Sequence, residues 1–188
     1  MRLLIYGSSD FAPTVIELVR ACGHEPAGLV DDVRHGPGIL GSLEAVMRTH
    51  SPEHYGIALA IGYNDLTGRW AAWLRACAAG YEAPVLIHPR AYVASSARMG
   101  AGCMVMACAV VDVRVNVGDA SVFWPGACVN HDTSIGANCF LSPNATVCGA
   151  VTIGANSFVG AGAAIADRCK VPPSSFVKML ERYTGCAK

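Results

Sequence analysis

From Ile87 to Val177 the chain carries a large apolar residue at every sixth position without a miss, running Ile87, Val93, Met99, Val105, Val111 and onward through Ile153, Val159, Ile165, Val171 and Val177. Four residues after each, as far as Ser175, comes a small one, among them Ala97, Cys103, Ala109, Ser121, Ala127, Thr133 and Cys139. Gly100, Gly118, Gly136 and Gly154 add a period of eighteen. A period of six inside a period of eighteen describes a three-sided coil of short parallel strands, with glycine at one corner. This is the hexapeptide repeat of a parallel β-helix. It amounts to roughly five turns, and at one strand spacing per turn the prism is about 25 Å tall. Coil edges of this kind are covered by neighbours, and a homotrimer packed about a threefold axis is the expected closure.

The first eighty-odd residues follow another grammar. Leu3–Tyr6 reads as a short apolar strand ending in Gly7-Ser8-Ser9. Val15, Leu18, Val19 and Cys22 have helical spacing, stopped by Gly23. Ala27–Val30 is a second strand, closed by Asp31 and Asp32. A Gly/Pro turn at residues 36–38 precedes a short helix around Leu43–Arg48. Ile57–Ile61 is a buried strand, a helix carries Trp70, Trp73 and Leu74, and Val85–Ile87 is the last strand. The order β-α-β-α-β-α-β predicts a small, doubly wound, Rossmann-like α/β domain over residues 1–84. The all-β coil follows over 85–177. A tail, 178–188, is expected to leave the repeat after Pro172 and Pro173 and form a short helix.

Fourteen basic residues balance fourteen acidic ones and no charge run occurs, which argues against a nucleic-acid partner or an anionic membrane surface. The apolar run at the start is too short for a signal peptide, and no segment approaches a membrane span. The hydrophobic content, 53%, suits a subunit that buries surface in an oligomer. Cys103, Cys139 and Cys169 fall on the small repeat position, and there is no CxxC. The nine cysteines are therefore expected to be reduced thiols in a cytoplasmic protein.

Inside the coils, beyond their first residues, the single histidine is His131, two residues after a core position and so near a corner, pointing outward. With Asp132 beside it, it can serve as a general base near neutral pH, or it is a surface histidine without a task. Adjacent residues on a regular strand point apart, so the pair converges only if the corner bends. Gly149 lies eighteen residues on, stacked over His131. Its N–H can face an oxyanion, or it is a plain turn glycine. In the N-terminal domain, Gly7-Ser8-Ser9 joins a strand to a helix N-terminus and suits a phosphate. Asp31 and Asp32 can hold a ribose or base edge, or are solvated turn residues. Gly62, Asn64 and Arg69 flank the same crevice, with Arg69 available to a diphosphate. The other histidines are expected to face solvent.

The stretches LIYGSSDFA, GLVDD, GPGILGSLEAV, IGYND with Arg69, HDTSIG, SPNATVCGAVTIG and GAGAAI together resemble the bacterial nucleotide-sugar N-acetyltransferases of the sialic-acid, bacillosamine and perosamine type. The resemblance covers nearly the whole chain and implies a left-handed β-helix, an exception to the right-handed crossover rule. It implies that Gly7, Ser8, Ser9, Asp31, Asp32, Gly62, Asn64 and Arg69 hold the nucleotide diphosphate. The amino sugar would reach a site between two β-helices of a trimer, and acetyl-CoA, the co-substrate, would lie in the groove between subunits against Gly149, Gly160 and Ala161. His131 would take a proton from the sugar amine as it attacks the thioester, Asp132 would support His131, and the Gly149 amide would bind the acetyl oxygen, with no acyl-enzyme. Trp124-Pro125-Gly126 stands where relatives have Asn-Thr-Gly, and Phe140 stands where many have a second histidine. Both are expected to shape the acceptor pocket. The tail lacks the Gly-x-Pro-Ala-Lys/Arg element, and Ser-Asp-Phe replaces Ser-Gly-His in the first loop.

O-acetylation of a sugar hydroxyl is the alternative within this class, and a non-catalytic trimer that binds nucleotide sugar is the alternative outside it. A β-helix metalloenzyme of the carbonic anhydrase type needs three converging imidazoles. The coils offer only His131 and His88, far apart along the prism, so no metal is expected.

Overall fold

Leu3, Leu4, Ile5 and Tyr6 are buried on both faces of strand β1 (Arg2–Tyr6), as a continuous apolar run in a parallel sheet should be. The computed structural model describes residues 1–185, which fall into two compact units, Met1–Leu86 and a second beginning at Ile87. In the first unit, β1 lies between β2 (Glu25–Val30) and β4 (Tyr55–Leu59), and β3 (Ile39–Gly41) pairs with β2. All pairs are parallel, in the order β3-β2-β1-β4. Helix α1 (Ala12–Ala21) opens with Pro13 and buries Val15, Leu18 and Val19 at the i, i+3, i+4 spacing. Gly23, with φ of 77°, ends it. Helix α2 (Leu43–Met47) is capped by Ser42, and α3 (Leu66–Ala78) by Asp65, whose carboxylate accepts from the Gly68 N–H at 2.7 Å.

The sheet differs from the expected one in two respects. The fourth strand of this sheet is Ile39–Gly41, hidden in the sequence by the Gly/Pro turn before it. Leu86–Ile87 belongs instead to the coil, as the first strand of one of its sheets.

The second unit is a coil of two-residue strands in three parallel sheets, every residue pairing with the one eighteen positions on, as in Val111↔Val129↔Val147↔Ile165. From Val105 to Val177 the sixth-position residues are 7% exposed or less. The small positions between them are equally buried as far as Cys169, and their polar members are satisfied by backbone. Ser121 Oγ donates to the Gly136 carbonyl at 3.0 Å and Thr133 Oγ1 to that of Cys148 at 3.1 Å. Cys103 and Cys139 are buried free thiols, each donating to a glycine carbonyl.

The tail also departs from expectation. Arg182–Tyr183 is a further coil strand, paired with Ala164–Ile165, and Tyr183 continues the six-residue series beyond Val177. The described part of the tail is coil rather than helix; 186–188 lie outside the described residues. No helix among the described residues is long and apolar enough to cross a membrane.

The corners of the coil are built differently from the sequence expectation. Every sixth residue from Gly102 to Leu180 is left-handed, with φ between 55° and 74°, and most of these are not glycine: Cys108, Arg114, Asp132 and Ala150 are among them. The repeating glycines at 100, 118, 136 and 154 do not have positive φ. They are required because the next coil passes too close. A Cβ on Gly118 would lie 2.5 Å from the backbone nitrogen of Ala137.

Candidate active site

His131 follows the strand Cys128–Val129 at a corner, and Asp132 takes the left-handed conformation there (φ 58°). The chain therefore does bend between them, and the neighbouring side chains converge, with His131 Nδ1 2.8 Å from Asp132 Oδ2. Both residues are exposed in the single chain. One coil earlier at the same corner, Arg114 grips Asp132 with two bonds, Nε to Oδ1 at 2.6 Å and Nη2 to Oδ2 at 2.8 Å. These bonds, with a further contribution from His131, hold the Asp132 carboxyl well below the usual carboxylate range. One coil later, Gly149 lies against the imidazole. A Cβ there would come within 2.7 Å of Cε1 and 2.8 Å of Nε2, so this glycine makes room for the ring. Its N–H is already engaged, donating to Asp167 Oδ1 at 2.8 Å. Arg114 and Asp167 were absent from the sequence reading. The signal for both is the column 114, 132, 150 and 113, 131, 149, 167 that the eighteen-residue register creates.

The other expected coil residues stand at a different corner. Trp124, Ser142 and Gly160 form one column, set by the pairings Phe123↔Leu141↔Val159, and Ala161 follows Gly160. A Cβ on Gly160 would strike the backbone of Lys178 and Met179, so its glycine is explained by coil stacking. Phe140 is 1% exposed and packs between Trp124 and Phe158, at centroid distances of 6.0 and 6.2 Å. It is thus part of an aromatic column, and of the expected pocket pair only Trp124 presents surface.

In the first unit, the loops after β1 and β4 flank the point where the strand order reverses, the usual place for a ligand in such a sheet. Gly7 is required twice over: its φ is 119°, and a Cβ would lie 2.7 Å from the Ala60 carbonyl group. Ser8 is tied down, its N–H and hydroxyl both donating to Asp31 Oδ2, at 3.0 and 2.6 Å. Asp31 Oδ1 accepts from the N–H groups of Val33 and Arg34. Burial pushes the Asp31 carboxyl up, but these bonds outweigh it and leave it below its ordinary value. Asp32 is likewise a junction, receiving Tyr6 Oη, the Leu43 N–H and Arg75 Nη2. Burial and Asp32 push the Tyr6 phenol well above its ordinary range. The two aspartates are therefore neither solvated turn residues nor open ligands. A cavity of about 540 Å³ opens beside Asp32, Leu43, Met47 and Arg75. Ser9 is only partly exposed, Gly62 likewise, and Asn64 is exposed.

Arg69 corrects the sequence reading outright. It is 0% exposed, on the buried stripe of α3 with Ala72, Trp73 and Ala76, and its Nε donates to the Ile61 carbonyl at 2.9 Å. Its guanidinium braces the loop after β4 from within and cannot meet a diphosphate in solvent. The spacing 69, 72, 73, 76 was the available signal. Among the described residues no group of three or more His, Cys, Asp or Glu side chains could hold a metal ion.

Comparison with known proteins follows the same division. Residues 2–74 match the PglD N-terminal domain family, and residues 132–167 match the bacterial transferase hexapeptide family. No curated protein matches the sequence. Among solved structures, the acetyltransferase domain of PglB from Neisseria gonorrhoeae FA1090, in complex with acetyl coenzyme A, is 32% identical over 95% of this chain and 88% of that one, with a TM-score of 0.85. A variant of GDP-perosamine N-acetyl transferase from Caulobacter crescentus, in complex with CoA and GDP-perosamine, is 30% identical over 96% and 94%, with a TM-score of 0.76. WeeI from Acinetobacter baumannii AYE, at 14% identity over 95% and 94%, shares the fold with a TM-score of 0.60. The Rossmann-like unit and the left-handed β-helix together define a hexapeptide-repeat acyltransferase. Within that class the chain belongs to the bacterial nucleotide-sugar N-acetyltransferases.

Proposed function

We propose that the protein transfers an acetyl group from acetyl-CoA to the amino group of a nucleotide-linked amino sugar, with His131 as general base. The observation that carries this reading is the His131–Asp132 pair, its imidazole seated against Gly149, in a chain whose relatives bind acetyl coenzyme A, CoA and GDP-perosamine. The amine nitrogen attacks the thioester carbonyl carbon, and His131 Nε2 takes the proton that nitrogen loses. The C–S bond breaks, and the departing sulfur receives the proton back from the imidazolium. Holding amine and thioester together supplies the rest, because an amine is a good nucleophile.

The column of Trp124 and Gly160 and the column of His131 and Gly149 stand at different corners of one prism. Coenzyme A lying against Gly160 and Ala161 reaches a His131 on a neighbouring protomer, so the working form is a homotrimer with its sites between subunits. The nucleotide binds at the Gly7–Ser9 and Gly62–Asn64 loops, where a phosphate displaces the Ser8 donors from Asp31. We place the reaction in the cytoplasm, the compartment of the acetyl donor.

Gly149 N–H is the donor to the acetyl oxygen once Asp167 yields it. Asp167→Ala is then expected to raise kcat/KM for acetyl-CoA by about 2- to 10-fold, the worth of one competing hydrogen bond. An unchanged kcat/KM would remove Gly149 from the oxyanion role. The amide assignment has its own check. The acetylated product should survive mild base, which hydrolyses an ester; loss of the acetyl group under those conditions would mark a hydroxyl acceptor instead.

A further inference from the structure

We propose that Arg114 is a positioning residue for His131: by holding both oxygens of Asp132 it fixes the imidazole in the tautomer that leaves Nε2 bare as the base. The inference rests on the reading of His131 given above, and it adds a residue eighteen positions before Asp132 in the chain.

The geometry is set by the coil. Arg114 and Asp132 occupy the same corner in consecutive coils, both left-handed, with φ of 55° and 58°. The Asp132 N–H donates to the Val113 carbonyl at 3.1 Å, which locks the two corners in register. Arg114 is braced in turn, its N–H donating to Ser96 Oγ one coil earlier at 3.1 Å. The guanidinium therefore meets the carboxylate as a fork, both bonds within 2.8 Å. Stability is not what this pair supplies. The side chains are 64% and 41% exposed, and ion pairs in such surroundings contribute little. It supplies direction. An aspartate on an exposed corner with a free χ1 would sample several rotamers, whereas one gripped at both oxygens has a single orientation, and that orientation points Oδ2 at His131 Nδ1.

The protonation logic follows. A carboxylate bonded twice to a guanidinium is ionised, and an ionised carboxylate only accepts. The proton in the Asp132–His131 bond therefore belongs to Nδ1, and Nε2 carries the lone pair, on the side facing Gly149. The charged and titratable groups around this cluster are Asp112, which acts on Arg114 and on the Cys128 thiol, and Asp167, held to the Gly149 N–H. Neither takes the place of Arg114 at Asp132. Lysine could not either, because a point donor reaches one oxygen and leaves the other free to rotate.

The test reads the tautomer with no substrate present. Imidazole 15N signals of the full-length protein are recorded by long-range 1H–15N correlation, His131 being assigned by its disappearance in His131→Gln. The wild type should show His131 protonated at Nδ1. Arg114→Gln and Asp132→Asn should each convert that signal to a mixture dominated by the Nε2-protonated form, and Arg114→Lys should lie between. The double variant should add nothing to either single one. The five other histidine signals and the melting temperature report the fold, and a purely structural Arg114 would move those while leaving the His131 tautomer alone. Retention of the Nδ1-protonated signal in Arg114→Gln, or in Arg114→Lys if the first variant melts, would overturn the proposal. Turnover with acetyl-CoA and GDP-perosamine is recorded alongside, and Arg114→Gln should lower kcat about tenfold with KM for acetyl-CoA unchanged. If the wild type acetylates nothing, the acyl-transfer reading fails while the tautomer result still decides the role of Arg114.

Discussion

His131→Gln is expected to lower kcat by about 100- to 10,000-fold, the range that positioned general bases contribute. KM for acetyl-CoA should change little, since the imidazole acts on the amine in the transition state. Glutamine keeps a polar side chain of similar length at the corner, and the backbone there is held from both sides: the Ala150 N–H donates to the His131 carbonyl at 2.9 Å, and the Asp132 N–H to Val113. The coil should therefore fold unchanged, and the loss should be chemical. Steady-state kinetics together with a melting curve separate the two. Asp132→Asn should follow in the same direction with a smaller loss, because asparagine can present its amide group to Nδ1 and favour the wrong tautomer. A His131→Gln enzyme within about threefold of wild type would mean that the amine loses its proton without a general base.

Gly118→Ala is expected to be strongly damaging to the coil. The methyl group would lie 2.5 Å from the Ala137 nitrogen and 2.8 Å from its Cα, and both are backbone atoms of the next turn that no rotamer change can move. Opening the stack to admit it costs about 1–3 kcal/mol, which corresponds to a melting temperature lower by about 3–10 °C. The cost is steric rather than conformational, since Gly118 is not left-handed. The complementary variant is Ala150→Gly, at an exposed corner residue with φ of 55°. Relief of left-handed strain there should hold the melting temperature or raise it. If Gly118→Ala were harmless and Ala150→Gly damaging, the assignment of left-handed corners and closely stacked glycines would be reversed.

These two variants mark where the sequence was legible and where it was not. The six-residue series translated directly into structure because each of its members fills the interior of a narrow prism, a demand no other residue class meets. The left-handed column did not announce itself. Hydrogen bonds from coil to coil hold every corner in that conformation, so Arg114, Ala150 and Leu180 are tolerated where an isolated turn would select glycine. Tyr183 continued the series past Val177 but was hidden by the two prolines before it.

At the site, His131 and Asp132 were visible because histidine is scarce in the coil. Arg114 was not, since its relation to Asp132 exists only once the register is known. In the N-terminal unit the sequence placed Arg69 after the right strand but on the wrong face. Its charge suggested a ligand, while its spacing with Ala72, Trp73 and Ala76 put it in the core. Tyr6 and Arg75 meet Asp32 across 26 and 43 residues, a junction that no local pattern encodes.

The most direct test of acetyl transfer to a nucleotide amino sugar is mass spectrometry of the purified protein incubated with acetyl-CoA and a panel that includes GDP-perosamine and UDP- and dTDP-linked amino sugars. The account predicts one nucleotide sugar heavier by a single acetyl group, formed with stoichiometric release of coenzyme A and absent when His131→Gln replaces the wild type. Unchanged masses across the panel, with no binding of coenzyme A, would contradict it.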